Sequence, residues 1–229
     1  MVVVAAYNEA QRIGATLAAL VRAFPGAPVW VADDGSTDDT PEIARRAGVR
    51  VVRSERMIGK GGAVTLAARE ALRQAQLDAA DAHVPEPIFV LCDGDLGQSA
   101  GELCALADAV AEGGADLAVA AFAKRVGGGV GLALAFARWA IRRRCGLATT
   151  APISGQRALP ASVLEDVLPF APGFGMEIGM TIDAVRAEHR VTEIELDLAH
   201  RASGRTLAGF AHRARQLVDF VRVYRARRA

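Results

Sequence analysis

The sequence predicts an α/β fold in one domain, with a mostly parallel, Rossmann-like central sheet, flanking helices and an amphipathic C-terminal helix. Short apolar runs alternate with segments of helical periodicity from the N-terminus onward, which is the pattern of β-α-β units. Several of these runs end abruptly in carboxylates, as strands do where a parallel sheet opens into a ligand site. A length of 229 residues suits one such domain with an elaborated C-terminal end.

The composition indicates a globular protein with a core of small aliphatic residues. Hydrophobic residues make up 52% of the chain and aromatic residues only 5%. A net charge of +1 argues against nucleic acid as a partner. The three cysteines form neither a disulfide framework nor a metal-type spacing, which fits a reducing compartment. No signal-like leader and no apolar stretch of bilayer length are evident, so we expect a cytoplasmic protein.

The first half of the chain is predicted to alternate strands and helices with right-handed crossovers. Asn8 is predicted to cap the first helix, and Thr37 or Asp38 the second. A glycine-rich turn at 59–62 precedes a long, alanine-rich helix. The predicted strands are 2–5, 28–32, 49–53 and 89–92, and the helices that follow the first three end near residues 24, 47 and 77.

The second half carries weaker signals. A helix at 100–112 and a strand at 115–121 continue the alternation, and no internal repeat is evident. The segment 152–160 reads as a strand or as a loop that lines a pocket. The remaining predictions are a helix with a basic end at 132–144, a helix starting near Met176, a half-exposed strand at 191–198 and an arginine-rich amphipathic helix at 205–228.

The chemistry is expected around Asp93-Gly94-Asp95, where an apolar run ends in two carboxylates separated by one glycine. Ligands of open α/β sheets bind at the carboxyl ends of the strands. Hard cations such as Mg²⁺ and Mn²⁺ prefer carboxylate oxygens and commonly bind together with substrate phosphates. Gly94 lets the backbone approach closely. The turn therefore predicts a divalent-cation and phosphate site.

Two other strand ends and one turn add to this prediction. Tyr7 and Glu9 follow the first strand, and Asp33 and Asp34 follow the second. The turn Gly59-Lys60-Gly61-Gly62 opens a helix, and glycines with one lysine at a helix start suit an anion. The spacings of a Walker A loop and of a dinucleotide fingerprint are absent. Together these features predict a pocket for a nucleoside diphosphate.

Four motifs in this order over the first 125 residues resemble the family 2 glycosyltransferases of the GT-A fold. The motifs are Ala6-Tyr7-Asn8-Glu9, Ala32-Asp33-Asp34-Gly35-Ser36-Thr37-Asp38, Gly59-Lys60-Gly61-Gly62 and Asp93-Gly94-Asp95. The segment Ser154-Gly155-Gln156-Arg157-Ala158-Leu159 is similar to one in dolichyl-phosphate-mannose-synthase-like enzymes. The segment Gly173-Phe174-Gly175-Met176-Glu177-Ile178-Gly179 and the later His200-Arg201 resemble the glucosyl-3-phosphoglycerate synthase branch.

The resemblance implies metal-dependent transfer of a hexose from a UDP- or GDP-linked sugar to a small phosphorylated or polyprenyl-phosphate acceptor. It divides the domain into a donor-binding half at 1–125, an acceptor-binding half at 126–204 and a basic C-terminal helix at 205–229. The glucosyl-phosphoglycerate branch implies retention of configuration and the mannose-synthase branch implies inversion, so the outcome stays open. Peripheral contact with the inner face of a membrane and a homodimer also stay open.

The resemblance also implies roles for individual residues. Mg²⁺ or Mn²⁺ is expected on Asp95 and His200, with Asp93 beside them. Asp95, Glu177 and Lys60 are the expected catalytic residues, with Lys60 at the diphosphate and Glu177 at the acceptor or sugar. Glu9 is expected at the ribose, and Asp33 or Asp34 at the base or ribose. The full set of expected substrate contacts is Ala6, Tyr7, Glu9, Asp33, Asp34, Gly59, Lys60, Asp93, Gly94, Gly155 and Arg201.

Other interpretations fit some of the same residues. A sugar-phosphate nucleotidyltransferase also combines a parallel sheet, glycines, a lysine and a metal-binding aspartate. A non-catalytic module that binds nucleotide sugars, or that docks on a membrane through the arginine-rich tail, is the other alternative. Glu177 is equally a carboxylate that complements a helix dipole. Taken alone, His200 is more often a structural or surface histidine, and only its place just past a strand end makes a role as a ligand equally plausible.

Overall fold

A seven-stranded sheet forms the centre of the computed structural model, which describes residues 1–79, 85–122, 131–198 and 207–228. The strands are β1 (Val2–Ala6), β2 (Val29–Asp33), β3 (Arg50–Arg53), β4 (Ile88–Asp93), β5 (Leu117–Phe122), β6 (Arg157–Pro160) and β7 (Val191–Leu196). Their order across the sheet is β3-β2-β1-β4-β6-β5-β7. Neighbouring strands are parallel, except that β6 runs antiparallel to both β4 and β5.

The helices of the described residues are α1 (Ile13–Ala23), α2 (Thr40–Arg46), α3 (Lys60–Ala79), α4 (Cys104–Ala111), α5 (Leu132–Cys145), α6 (Ala161–Val167), α7 (Met176–Arg186) and α8 (Leu207–Ala226). Two short 3-10 helices, Gly97–Leu103 and Gly173–Gly175, precede α4 and α7. In the described part of the chain, no helix combines the length and the apolar character needed to cross a membrane.

Helices cover both faces of the sheet because successive side chains of each buried strand point to opposite sides. In β1, Val2 and Val4 pack with α1 and α4 residues, whereas Val3 packs with α3, α6 and α7 residues. The parallel strands are accordingly apolar on both faces, as the continuous runs in the sequence predicted.

A third apolar cluster joins the C-terminal helix to the body of the domain. Phe220 and Val223 of α8 pack with Ile178 and Ile182 of α7 and with Ile141 of α5. Phe220 is 1% exposed. The predicted C-terminal amphipathic helix is therefore present, and two of its described apolar side chains, Phe220 and Val223, are part of the core.

Several predicted boundaries were wrong. Arg12, not Asn8, occupies the N-cap position of α1, and Asn8 adopts a left-handed φ of 55° instead. Helix α2 begins at Thr40, later than predicted, although an oxygen of Asp38 accepts the Thr40 N–H at 3.0 Å. The predicted helix at 100–112 is split into a 3-10 helix and α4. Helix α6 was not predicted, and only the last four residues of 152–160 form a strand.

Candidate active site

Three strands of the sheet end side by side. Ala5 of β1 is in register with Asp93 of β4, and Ala6 of β1 is in register with Asp33 of β2. Because parallel strands share the edge at which they end, the loops after β1, β2 and β4 meet there. The motifs predicted to form one pocket are thus brought to one edge of the sheet.

Lys60 lies at the centre of this edge, in the first turn of α3. Its Nζ lies 2.6 Å from Oδ1 of Asp93 and donates to Oε1 of Glu177 at 2.7 Å. The second carboxylate oxygen of Asp93 accepts a hydrogen bond from Nε2 of Gln156 at 2.8 Å. The side chains of Lys60 and Glu177 are only 20% and 7% exposed. Four segments that are distant in sequence therefore share one polar cluster.

The charges in this cluster stabilise the protonated form of the lysine. Burial alone would lower the pKa of Lys60, but the carboxylates of Asp93 and Glu177 outweigh it and raise that pKa above its ordinary value. Lys60 is therefore a fixed cation at neutral pH. Its position at the start of a 20-residue helix adds the positive end of the helix dipole.

Two glycines allow this close packing. A Cβ on Gly155 would lie 2.5 Å from Nζ of Lys60 and 2.7 Å from Oδ2 of Asp93. A Cβ on Gly61 would overlap the carbonyl oxygen of Ala171. Gly155 thus lies against the ion pair of Lys60 and Asp93, where a side chain would displace it, and its predicted contact with substrate stays a prediction.

The turn that carries Asp95 is held by backbone hydrogen bonds. The Gly94 N–H donates to the carbonyl of Ala5 at 2.9 Å, and the Gly94 carbonyl accepts the buried hydroxyl of Thr16 at 2.8 Å. Asp95 itself is half-buried, and its carboxylate has no hydrogen-bond or ion-pair partner among the described residues. Its oxygens are therefore free of the internal contacts that hold Asp93.

The carboxylates of Asp93 and Asp95 are of the oxygen type that Mg²⁺ and Mn²⁺ prefer, so this part of the site fits such a cation. Within the described residues, no group of three or more histidine, cysteine, aspartate or glutamate side chains is arranged to hold a metal ion. Two further residues were predicted for this site, His200 as a metal ligand and Arg201 as a substrate contact. Both lie outside the described residues.

Asp33 and Asp34 make internal contacts. Asp33 is fully buried, and its Oδ1 accepts the Ser36 N–H at 3.2 Å, while Oδ2 lies 3.1 Å from Nε of Arg53 without hydrogen-bond geometry. The carboxylate of Asp34 accepts the N–H groups of Ile58 at 2.7 Å and Gly59 at 2.9 Å.

These contacts have two consequences. Burial raises the pKa of Asp34, only partly offset by the N–H groups that it accepts. The carboxylate of Asp34 therefore positions the loop that leads into Lys60, including Gly59, whereas that of Asp33 contacts Ser36 and Arg53. The predicted contacts of both aspartates with the base or ribose stay predictions.

The loop after β1 is tied to the loop after β2. The Asn8 N–H donates to the hydroxyl of Ser36 at 2.9 Å, and the Glu9 N–H donates to the hydroxyl of Thr40 at 2.8 Å. Tyr7, which follows the buried Ala6, is 42% exposed. Tyr7 and Glu9 accordingly lie at the rim of the edge where a nucleoside was predicted.

Gln156 and Arg157 are site residues that the sequence prediction did not single out. Arg157 is fully buried, where its Nε donates to the carbonyl of Ser154 at 2.9 Å and its Nη1 to the hydroxyl of Thr181 at 3.0 Å. Burial lowers the pKa of Arg157 to about 10. This arginine braces the loop that carries Gln156 against α7, the helix that carries Glu177. The available signal was their position directly after Gly155, within a segment predicted to be a strand or a loop that lines a pocket.

The chain is similar to known proteins both in sequence and in fold. Residues 1–153 match the model of a family described as glycosyl transferase family 2. Dolichyl-phosphate hexose transferase of Haloferax volcanii is 50% identical to the chain over 54 residues, which is 24% of this chain and 24% of that protein. The matched stretch thus spans about a quarter of that relative.

Two crystal structures of glucosyl-3-phosphoglycerate synthase from Mycobacterium tuberculosis have the same fold. The complex with phosphoglyceric acid gives a TM-score of 0.70 at 27% identity, covering 97% of this chain and 78% of that one. The complex with Mn²⁺, uridine diphosphate and glucosyl-3-phosphoglycerate gives 0.71 at 27% identity, with 99% and 78% covered. The predicted GT-A fold is confirmed. Because the family model matches more than half of the residues of this chain, the chain belongs to glycosyl transferase family 2.

Proposed function

We propose that this glycosyltransferase moves a hexose from a nucleoside-diphosphate sugar, bound with Mg²⁺ or Mn²⁺, to an acceptor that carries a phosphate. The observation that carries the proposal is the cluster at the end of β4, where Asp93, Lys60 and Glu177 meet. Asp95 follows two residues after Asp93, and its carboxylate has no partner within the part of the chain that the structure describes. Such a cluster combines carboxylates for a cation with a fixed positive charge for a diphosphate.

Asp95 and Asp93 are the proposed protein ligands of the cation, with His200 as a third. A bound Mg²⁺ or Mn²⁺ would act as a Lewis acid that stabilises the negative charge of the departing nucleoside diphosphate. The synthase from Mycobacterium tuberculosis has been solved with Mn²⁺ or Mg²⁺ together with uridine diphosphate, which supports this choice of cation and favours a uridine nucleotide.

Lys60 is proposed to act on the same charge from the protein side. Asp93 and Glu177 hold its Nζ at the edge of the sheet, so its charge is positioned before the donor binds. A preorganised cation stabilises developing charge without the cost of reorganisation. Gly155 leaves the space in which this ammonium group lies.

Glu177 is proposed to face the acceptor or the transferred sugar. It lies in the first turn of α7, so the acceptor side would be formed by residues after 125, in line with the predicted division of the domain. The two relatives differ in acceptor: one is named for dolichyl phosphate and the other was solved with phosphoglyceric acid. Both carry a phosphate, and we propose that chemistry as the common feature of the acceptor.

A thermal-shift experiment tests the donor site. The purified chain is heated with UDP, GDP or their sugars, with and without Mn²⁺. We expect a metal-dependent rise of about 5 °C or more with one nucleotide at saturating concentration, because a ligand that binds only the folded state stabilises it. Asp95→Asn should abolish the rise, and Asp108→Asn, on the exposed face of α4, should preserve it.

Two results would contradict the proposal. One is the absence of any shift with every nucleotide in the presence of metal. The other is release of pyrophosphate from a nucleoside triphosphate and a sugar phosphate, which would make the chain a nucleotidyltransferase. Transfer of labelled sugar to phosphoglycerate or to dolichyl phosphate then identifies the acceptor.

A further inference from the structure

The charged residues are distributed very unevenly along the chain. Residues 117–164 contain seven basic and no acidic residues, and residues 198–229 contain eight basic residues and one acidic residue. The rest of the sequence contains twelve basic and 25 acidic residues. The net charge of +1 therefore hides a strongly basic part, to which helices α5 and α8 belong, and an acidic remainder.

The outer side of α5 changes from apolar to basic along its length. Leu132 and Trp139 are 69% and 49% exposed, and Phe136 lies between them at helical spacing. Arg142 and Arg143 follow one turn after Trp139 and are also exposed. Helix α5 contains no acidic residue that could neutralise them.

The described part of α8 repeats this arrangement. Leu217 is exposed, and Val221 and Tyr224 follow it at helical spacing. Arg225 and Arg228 come next and are exposed. The single acidic side chain of this helix, Asp219, is only 14% exposed and pairs with Arg222.

The two helices form one surface. The rings of Trp139 and Tyr224 have centroids 4.8 Å apart, and the guanidinium of Arg144 lies 3.7 Å from the Tyr224 ring centroid. One nitrogen of Arg186 lies within hydrogen-bond distance of the carbonyls of both Arg144 and Arg227, which brings the C-terminal ends of the helices together. We call this surface the α5–α8 face, defined by Leu132, Phe136, Trp139, Arg142, Arg143, Leu217, Val221, Tyr224, Arg225 and Arg228.

We propose that the α5–α8 face docks on a membrane surface that contains anionic lipids. Anionic headgroups attract clustered arginines, and tryptophan and tyrosine favour the boundary between headgroups and acyl chains. Exposed Leu132 and Leu217 favour a lipid surface over a nucleic acid, because phosphates in water offer leucine no apolar partner. The proposal concerns a face other than the donor site.

Docking there would also bring the acceptor side towards the lipid. The carboxylate of Asp219 in α8 accepts the N–H of Phe174, in the 3-10 helix that leads into α7 and Glu177. This last step rests on the proposed function, and it favours a lipid phosphate as the acceptor.

Vesicle binding tests the proposal directly. The chain is sedimented with phosphatidylcholine vesicles that either contain or lack phosphatidylglycerol, at low and at high salt. We expect binding only to the anionic vesicles, weakened by salt. Replacing both arginines, Arg142→Gln with Arg143→Gln, should weaken the partitioning about 10-fold to 30-fold. The matched control is Arg45→Gln with Arg46→Gln, two exposed arginines at the end of α2, which should leave binding unchanged.

Tryptophan fluorescence reports which face binds. The chain has two tryptophans, and Trp30 is 5% exposed, so a blue shift on vesicles reports Trp139.

Three results would overturn the proposal. The wild-type chain does not bind anionic vesicles, the double substitutions at Arg142/Arg143 and at Arg45/Arg46 weaken binding equally, or Trp139→Leu does not remove the blue shift. If the chain forms a dimer without vesicles, and acrylamide cannot quench Trp139 in that dimer, the face binds a second copy of the chain instead.

The donor-induced melting shift is measured on the same variants. A variant that no longer binds vesicles but keeps the donor-induced melting shift shows that the docking face and the donor site are independent. If the wild-type chain binds vesicles but shows no shift with any nucleotide, the proposed function fails and the docking proposal stands.

Discussion

Lys60 donates to two carboxylates at once, so at the scale of single residues it determines the charge balance of the site. We expect Lys60→Met to lower the free energy of unfolding by about 3 kcal/mol at neutral pH, because the buried carboxylate of Glu177 and the half-buried carboxylate of Asp93 then face each other without a cation. Carboxyl groups are neutral in acid and repel each other less there, so this variant should lose more stability at neutral pH than at acidic pH.

Urea unfolding in EDTA at acidic and at neutral pH measures this loss. Arg73→Met is the control, because Arg73 also lies 2.6 Å from a carboxylate, that of Glu70, but in an exposed pair on α3. Its change should be small and nearly independent of pH. An equal loss for Lys60→Met at both pH values would contradict the prediction.

Gly155 provides a second test at this scale. In Gly155→Ala the new methyl group would lie 2.5 Å from Nζ of Lys60, so the lysine and Asp93 must separate. We expect the activity to fall, and the apparent affinity for the donor, measured by the metal-dependent thermal shift, to fall at least about tenfold. A displacement of about 1 Å is costly at a catalytic centre. Gly101→Ala is the control, because a Cβ there meets nothing within 4 Å. A Gly155→Ala variant with wild-type affinity would show that the cluster tolerates the methyl group.

The residues of the site were predictable to different degrees. Asp93, Lys60 and Glu177 were predicted, and the structure brings them into contact. Gln156 was not singled out, because an amide next to a glycine in a loop is a weak signal, and only the fold brings it to Asp93. Asp34 shows the opposite problem: a carboxylate after a strand suits a ligand and a backbone N–H equally well, and only the structure reveals that it accepts the N–H groups of the next loop.

At the scale of elements, strand β7 holds the loop that precedes Gly155 and Gln156. The carboxylate of Glu193 accepts the N–H groups of Thr150 and Ala151 at 2.9 Å and the hydroxyls of Thr149 and Thr150. Burial works to raise the pKa of Glu193, but these hydroxyls and N–H groups outweigh it and hold the pKa below its ordinary value.

We expect Glu193→Gln to destabilise the chain by about 1 kcal/mol at neutral pH, allowing for partial exposure of the side chain. A lowered pKa stabilises the fold above the unfolded pKa, and this contribution is lost as the pH falls through the folded pKa. The difference from wild type should therefore shrink below about pH 4. Urea titrations across this range measure it, and Glu195→Gln, exposed on the same strand, should show no such trend. A difference that stays constant at acidic pH would count against the role of the carboxylate.

The elements that the sequence missed are those whose environment is set by the whole sheet. Strand β6 has only four residues, begins with the buried Arg157 and ends in Pro160, so no alternation identifies it. Its insertion between β4 and β5 follows from long-range pairing that local patterns do not encode. The parallel strands β1, β2 and β4 were predicted because each is an apolar run that ends in a polar turn.

At the scale of the whole molecule, α8 shows how a basic tail can also be part of the core. Its outer side carries arginines, whereas Phe220 and Val223 fill the cluster between α5 and α7. A Cβ on Gly175 would clash with Val223, so the 3-10 helix before α7 packs directly against α8. The predicted division of the chain at residue 205 therefore separates a segment by charge and not by packing.

This packing predicts a loss of global stability when α8 is weakened. We expect Phe220→Ala to lower the free energy of unfolding by about 3 kcal/mol, because the ring is fully buried and its removal leaves a cavity between three helices. Val218→Ala is the control, since Val218 is 48% exposed on the same helix and its loss should fall within about 0.5 kcal/mol. Urea unfolding followed by circular dichroism measures both. If Phe220→Ala unfolds like wild type, α8 is dispensable for the fold, and its contact with the turn before Glu177 would not position the acceptor side.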